Sequence, residues 1–93
     1  MKSDTKYNIQ QAASELNILG YAFLKNGKRK DALSVFELAT KEFPNTANAF
    51  DSFAEALMEN GQKQEAIKNY EQVLKLNPSD INAKKQLDIL KSN

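Results

Sequence analysis

Apolar residues recur through most of the chain at the three- and four-residue spacing of amphipathic helices. In the first half, one series covers about residues 9–26, and a second series ends before Pro44. The second half repeats this plan, and a shorter series follows over about residues 80–91. Because no segment shows the two-residue alternation and β-branched character of a strand, the pattern predicts an all-α fold of five helices.

Glycine and capping residues set the expected helix ends. Gly27 and Gly61 each follow an apolar series, where glycine commonly ends a helix. Asn8, Thr46 and Ser79 precede the first, third and fifth series, and their side chains are of the type that caps a helix N-terminus. We therefore expect these three residues to be N-caps and both glycines to stop a helix.

The chain also contains an internal repeat of 34 residues. Gly27 recurs as Gly61, and Pro44 recurs as Pro78, at this offset. Further pairs with the same offset are Leu19 and Phe53, Gly20 and Ala54, Ala32 and Ala66, and Phe36 and Tyr70. A fixed offset of this length is typical of solenoids built from stacked helix pairs. The predicted parts are a flexible segment at residues 1–7 and a single domain at residues 8–93, made of repeat one (about 13–46), repeat two (about 47–80) and a capping helix (about 80–91).

Both copies resemble the tetratricopeptide repeat (TPR). The residues that carry the resemblance are Leu16-x2-Leu19-Gly20-x2-Phe23, Ala32-x3-Phe36 and Pro44 in the first copy, and Phe50-x2-Phe53-Ala54-x2-Leu57, Ala66-x3-Tyr70 and Pro78 in the second. The resemblance implies a TPR-like solenoid of two antiparallel helix pairs with a C-terminal capping helix. It also implies a non-catalytic module that binds a peptide segment or a partner domain through a helix-lined concave surface.

The last apolar series has the pattern of a solvating cap. At the 34-residue offset, Lys84, Asp88 and Lys91 stand where apolar residues would receive another repeat. The residues left to pack inward are Ala83, Leu87 and Leu90. The N-terminal side of the solenoid has no comparable polar cap. We therefore expect a monomer, or a weak dimer formed through that N-terminal edge.

In TPR proteins the first helix of each pair lines the concave surface. The positions that the resemblance implies here are Asn17, Tyr21, Leu24, Asp51, Glu55, Met58, Glu59, Lys85 and Ile89. Asp51, Glu55 and Glu59 are successive i, i+4 neighbours whose like charges repel. They form either an acidic surface for a basic residue of a peptide or a solvated helix face. The apolar members of the set either contact a ligand or are partly buried, and we expect that truncating them leaves the domain folded.

The best-known ligand mode of the TPR family grips an acidic tail through a clamp of Lys, Asn, Asn, Lys and Arg. The matching positions of this chain hold Asn17, Tyr21, Ser52, Asn82 and Gln86. The clamp is therefore missing. Asp51 and Glu55 would in addition repel an acidic C-terminal carboxylate, so we do not expect such a ligand.

Composition limits the electrostatic partners. With 13 Lys and Arg residues against 12 Asp and Glu, the net charge of +1 creates no general field for nucleic acid or an anionic membrane. The basic cluster Lys25, Lys28, Arg29 and Lys30 is interpreted as a solvated turn, with docking to an anionic partner as the alternative. The longest apolar run, Tyr21–Leu24, is far too short to cross a bilayer. We expect neither nucleic acid nor a membrane as a partner.

Catalytic and metal chemistry is not expected either. The chain has no cysteine and no histidine, which removes disulfides, thiolate and imidazole metal ligands, and histidine-dependent nucleophilic catalysis. Ser3 and Lys6 match the Ser-x-x-Lys pattern of serine hydrolases, but no Lys-Thr-Gly strand accompanies them. The predictions are no enzyme activity, no cofactor and no metal.

A second resemblance concerns the context of the chain. The runs Glu15 to Tyr21, Asp51 to Ala56 and Asn69 to Glu71 are similar to repeats appended C-terminally to bacterial serine hydrolases of the beta-lactamase type. This resemblance implies an alternative function, a structural appendage that docks onto or dimerises a linked enzyme domain. The compartment stays open between a soluble cytoplasmic chain and, as part of an exported protein, a periplasmic one.

Overall fold

The computed structural model describes residues 9–92, with side chains from residue 12 onward. Its helices are α1 (Ile9–Lys25), α2 (Arg29–Glu42), α3 (Ala47–Glu59), α4 (Lys63–Leu76) and α5 (Ile81–Lys91). No strand occurs within residues 9–92, so the predicted all-α fold of five helices is confirmed. The predictions for residues 1–7 and for Asn8 as an N-cap lie outside the described residues.

Glycine ends both α1 and α3, as predicted. Gly27 and Gly61 have φ angles of 76° and 79°, in the left-handed region that side chains disfavour. The backbone N–H of Lys28 donates to the carbonyl of Phe23 at 2.9 Å, which closes the end of α1. The equivalent bond after α3 has a length of 2.8 Å, so the two turns use the same C-terminal capping motif.

The N-cap predictions hold only in part. The N-cap of α5 is Asp80, whose carboxylate accepts a hydrogen bond from the Ala83 N–H at 2.9 Å. The expectation that Ser79 caps this helix is therefore wrong, because the helix begins one residue later. Thr46 does occupy the N-cap position of α3, but its side chain makes no capping hydrogen bond.

Small residues allow the helices of the first pair to pack closely. α1 packs on α2, and the short turn at Gly27 makes the two antiparallel neighbours. The first core cluster consists of Ala32, Phe36 and Ala56, with Tyr21, Phe23, Leu24, Leu33 and Phe53 packed against it. Gly20 is buried beside the ring of Phe36, which leaves no room for a larger residue there.

The second pair and α5 share a larger core cluster. Its buried members are Ala54, Leu57, Ala66, Tyr70, Val73, Ala83, Leu87 and Leu90. Leu33 from α2 and Phe53 from α3 pack against both clusters, which joins the two repeats into one continuous core. The residues predicted to pack inward from α5 are therefore confirmed as core, while Lys84, Asp88 and Lys91 are exposed.

One predicted packing residue is only partly covered. Leu19 belongs to the apolar series of α1, yet it is 44% exposed. It lies two residues from Tyr21, which contacts α3, and two residues of a helix correspond to a rotation of about 200°. Leu19 therefore points away from the second pair, where no described helix covers it.

Candidate functional site

The inner sides of α1, α3 and α5 form a surface with three depressions, which we call the inner surface. The first depression, of about 300 Å³, is lined by Ala13, Ser14, Asn17, Thr46, Asn48 and Ala49. The second, of about 440 Å³, is lined by Tyr21, Leu24, Lys25, Glu55 and Glu59. The third, also of about 440 Å³, is lined by Glu55, Met58, Glu59, Tyr70, Asn82 and Gln86.

Two carboxylates separate the second and third depressions. Glu55 and Glu59 line both of them, one helical turn apart on α3. Asp51 lies a further turn toward the start of α3, so the acidic residues follow the helix axis. A segment that crosses α3 from one depression to the other would therefore pass over this acidic row.

A chain of hydrogen bonds links α1 to α3 beside the acidic row. The hydroxyl of Tyr21 donates to Oε1 of Glu55 at 2.6 Å and lies 3.3 Å from Oγ of Ser52. Oγ of Ser52 in turn donates to Oδ1 of Asn17 at 2.5 Å. Tyr21 therefore holds the Glu55 carboxylate in place, and we call these four residues the inner network.

The environment of Tyr21 keeps its hydroxyl protonated. Burial and the hydrogen bond to Glu55 together raise the pKa of Tyr21 to about 12, and the contact with Ser52 opposes the shift. The ring also packs edge-on against Phe36, with ring centroids 5.1 Å apart. Tyr21 thus donates to Glu55 at any ordinary pH while its ring is held by the core.

Asp51 has an environment that disfavours its charged form. Burial raises the pKa of Asp51, and the charges of Asp80 and Glu55 add to the shift, while a hydrogen bond with Asn82 opposes it. Within the described residues, the two ion pairs are Glu37–Lys41 and Glu71–Lys91. Neither ion pair involves a carboxylate of the acidic row, so no Lys or Arg among residues 12–92 forms an ion pair with that row, and Lys25 lines only the second depression beside it.

The apolar residues of the predicted site serve both the core and the inner surface. Leu24 packs against the first core cluster and lines the second depression. Met58 packs against the second cluster and lines the third depression. Both side chains are half-buried. The partial burial is one of the two alternatives given above, and because both side chains support the core, we expect truncation to cost some stability while the domain stays folded.

α5 contributes different residues to the inner surface from those expected. Lys85 and Ile89 are exposed and line none of the three depressions. Asn82 and Gln86 line the third depression instead. The sequence does contain a signal for Gln86, because the 34-residue offset relates it to Ser52, a member of the inner network.

The basic turn between α1 and α2 lies apart from the acidic row. Lys28, Arg29 and Lys30 are exposed around a shallow depression that also includes Asn60. Within residues 12–92, no group of three Asp, Glu, His or Cys side chains could hold a metal ion. None of the helices in the described part of the chain combines the length and apolarity needed to span a bilayer.

Comparisons with known proteins agree on one family. Tetratricopeptide repeat families match residues 18–46 and residues 47–80. Among solved structures, the chain is similar to the first TPR of Spaghetti (RPAP3) bound to the HSP90 peptide SRMEEVD, with 19% identity and a TM-score of 0.52. That similarity covers 88% of this chain and 92% of the other, and at this identity it supports the fold alone. No curated protein sequence matches the chain.

Proposed function

The chain belongs to the tetratricopeptide repeat family, whose domains are protein-interaction modules, and we propose that its inner surface binds a peptide segment that carries a basic side chain. The observation that supports this most directly is the acidic row beside the inner network. Glu55 is fixed by Tyr21, and Glu59 extends the negative charge by one turn between two depressions. A fixed carboxylate loses less side-chain entropy on binding than a free one.

Electrostatics favours a cation over this row. Asp51, Glu55 and Glu59 repel one another at i, i+4 spacing, and a bound Lys or Arg would relieve that repulsion. Oε1 of Glu55 accepts from Tyr21, while a carboxylate offers about four lone-pair sites in all. Glu55 therefore retains acceptor capacity for a ligand ammonium or guanidinium group.

Apolar contacts would supply the remaining affinity. Leu24 and Met58 are half-buried in the depressions on either side of the acidic row. A segment with apolar side chains flanking its basic residue could bury both of them, whether it binds as an extended strand or as a helix. Charge then sets the register and the association rate, and burial of apolar surface sets the dissociation rate.

The inner surface carries acidic side chains, whereas binding of an acidic ligand requires basic ones. The peptide in the similar TPR structure, SRMEEVD, contains three acidic residues. At the positions of the family's cationic clamp, this chain places Asn17, Tyr21 and Ser52, which hydrogen-bond within the inner network. A peptide of that kind would meet repulsion from Glu55 and Glu59, and Lys25 is the single basic residue that lines the second depression beside them, so we expect the peptide to be rejected.

A non-catalytic role fits the same geometry. The hydroxyl of Ser52 donates to the amide oxygen of Asn17, which is not a base and cannot activate it as a nucleophile. The hydroxyl of Tyr21 is a neutral donor because its pKa is raised to about 12. Neither hydroxyl is therefore prepared for proton transfer at neutral pH.

The test is a screen of fluorescent peptides that share a length but differ in charge. Basic peptides with flanking apolar residues should bind, and acidic peptides should not. In the double variant Asp51→Lys and Glu55→Lys, a selected basic peptide should associate more slowly and with a smaller salt dependence. The matched control is Glu42→Lys with Glu65→Lys, which changes the net charge equally at exposed positions of α2 and α4.

Truncation separates the apolar contribution. Leu24→Ala and Met58→Ala should mainly accelerate dissociation of the same peptide, at about 1–2 kcal/mol each. Because both residues support the core, binding is measured at a temperature where circular dichroism reports each variant as fully folded. A screen that yields only acidic peptides, or unchanged binding by the charge-reversed double variant, would refute the proposal.

A further inference from the structure

The third depression of the inner surface contains a buried hydroxyl that has no partner in the fold. Tyr70 is 2% exposed, and its side chain belongs to the second core cluster. The side chain also lines the third depression, and its hydroxyl forms no hydrogen bond with any residue of the range 12–92. Because no unpartnered polar atom in this range is sealed from solvent, the hydroxyl opens into the depression. A buried hydroxyl normally has a partner, so this one is available to a ligand.

Oxygen atoms of further residues surround the same depression. The polar residues that line it with Tyr70 are Glu55, Glu59, Asn82 and Gln86. A hydrogen bond with Asn82 lowers the pKa of Asp51, and because a carboxylate only accepts, Asn82 donates through its amide nitrogen. The amide oxygen of Asn82 is then left for a ligand. The depression thus offers acceptors from two carboxylates, two amides and one hydroxyl.

The charge around the third depression favours a cation more than the charge around the second does. Lys25 lines the second depression, whereas no Lys or Arg lines the third. Burial raises the pKa of Tyr70, and the charges of Asp51 and Glu55 add to the shift. The Tyr70 hydroxyl therefore stays protonated, and it lies where two carboxylates attract a positive group.

We propose that the third depression is a pocket for the guanidinium group of an arginine side chain. The proposal rests on the proposed function and specifies which basic residue of the bound peptide the inner surface recognises. A guanidinium group has five N–H donors in one plane, whereas the ammonium group of lysine has three donors around one atom. The wider group can reach the carboxylates of α3 together with the oxygens of Tyr70 on α4 and Gln86 on α5. A lysine would leave some of these oxygens without a partner.

The remaining lining residue suits the stem of an arginine. Met58 is half-buried and lines the third depression with its apolar side chain. The methylene groups of arginine bury along such a surface while the charged end contacts polar groups. A guanidinium group is also more weakly hydrated than an ammonium group, so its entry into a partly enclosed site costs less. The volume of about 440 Å³ lies within the range of about 300–1,000 Å³ that is typical of small-ligand sites.

The probes are N-acetyl-L-arginine amide and its lysine and citrulline counterparts, which test the depression without a peptide. Titrations of the isotope-labelled full chain follow the NMR signals of the Asn82 and Gln86 side-chain amides. The arginine probe should give saturable shifts and bind at least about fivefold more tightly than the lysine probe. Citrulline has a similar shape but no charge, so it should bind at least about tenfold more weakly than arginine.

Two variants each remove one acceptor from the depression. Tyr70→Phe keeps the ring in the core and removes only the hydroxyl, and Gln86→Leu removes the amide. Each should reduce the preference for arginine over lysine to about twofold or less. Since the Tyr70 hydroxyl has no partner in the fold, Tyr70→Phe should not lower the melting temperature, and a lower value would count against the inference.

Gln72→Leu is the matched control for Gln86→Leu. Gln72 is a half-buried glutamine of α4 that lines none of the three depressions, and it lies about 200° around the helix from Tyr70. This variant should therefore keep the full preference for arginine. A preference that is lost in Tyr70→Phe and Gln86→Leu but kept in Gln72→Leu supports the inference.

Three results would overturn the inference. They are the absence of saturable shifts with the arginine probe, affinities for arginine and lysine that agree within about twofold, and an arginine preference that Tyr70→Phe and Gln86→Leu leave intact. None of them refutes the proposed function, because peptides with either basic residue could still bind over the acidic row. The proposed function fails separately, if the peptide screen yields only acidic peptides or if reversing Asp51 and Glu55 to Lys leaves binding unchanged.

Discussion

Gly20 is the position where the close approach of α1 and α2 can be tested most directly. A β-carbon at Gly20 would lie 2.5 Å from Cζ of Phe36 and 2.8 Å from Cδ1, and closer still to Cε1. Phe36 is fully buried and packs edge-on against Tyr21, so its ring cannot rotate into solvent. Gly20→Ala therefore forces the ring or the helix to move.

Two opposing effects determine the net stability of Gly20→Ala. Alanine favours the helical state over glycine by about 1 kcal/mol. Overpacking of a filled core costs about 1–3 kcal/mol. We expect a net loss of about 0–2 kcal/mol, where a clash-free site would instead gain about 1 kcal/mol.

Urea denaturation monitored by circular dichroism measures this loss. Ala22→Gly is the control for helix propensity, because Ala22 is exposed on the same helix and should lose about 1 kcal/mol. Phe36→Leu should cost less in the Gly20→Ala background than in the parent chain, since the smaller side chain relieves the clash. If Gly20→Ala stabilised the chain by the full propensity gain, the packing argument would be refuted.

Three further predictions concern stability. Asp80→Ala should destabilise the chain by about 1 kcal/mol through loss of the N-cap, and Ser79→Ala should have a smaller effect in the same urea assay. Removal of residues 80–93 should lower both the melting temperature and the solubility, because α5 covers Tyr70 and Val73, and an unchanged melting temperature would contradict the capping role. The pKa of Tyr21 is raised from 10.0 to about 12, so the unfolded chain loses this proton first and stability should fall as pH rises from 10 toward 12. The Tyr21→Phe variant should show a smaller fall of the urea midpoint over this pH range than the parent chain. Burial also raises the pKa of Tyr70, so the pH dependence of the Tyr70→Phe variant is measured for comparison.

The fold could be predicted because a few residues that recur in each repeat determine its turns and its close helix packing. Gly27 and Gly61 adopt positive φ angles that few other residues tolerate, so their recurrence marks the same turn twice. The recurrence of Ala32 as Ala66 marks two closely packed helix pairs, and both residues are fully buried. Backbone geometry and close packing leave few alternatives at such positions, and this makes them informative in a single sequence.

Finer features depended on geometry that composition does not determine. Ser79 and Asp80 are both good capping residues, and only the path of the turn places the Asp80 carboxylate within reach of the Ala83 N–H. The exposure of Leu19 depends on which side of α1 has a neighbour, which apolar periodicity does not reveal. Lys85 and Ile89 line none of the three depressions, whereas Asn82 and Gln86 of α5 line the third, and the apolar and charged pattern of α5 does not distinguish these positions.

The sequence indicated which positions of the inner network lie near one another, but it did not indicate which hydrogen bonds they form. Tyr21 and Glu55 occupy equivalent positions, 34 residues apart, and stacking of the two repeats brings equivalent positions side by side. A hydrogen bond from the Tyr21 hydroxyl to the Glu55 carboxylate is then expected. The TPR resemblance places Ser52 at a clamp position together with Asn17 and Tyr21, but the hydrogen bonds of Ser52 could not be predicted because they depend on how far α3 is rotated toward α1.

The same equivalence explains why the acidic row remains available to a ligand. On the α1 side, Tyr21 contributes a neutral donor to Glu55 and therefore fixes the carboxylate without cancelling its charge. On the α5 side, the equivalent residue is Ile89, which is exposed and supplies no donor. A lysine in place of Tyr21 could pair with Glu55 within the fold and would remove the feature that distinguishes this surface. Tyr21 of the first repeat thus orients the Glu55 carboxylate of the second repeat, and the negative charge of Glu55 remains available to a basic residue of a partner.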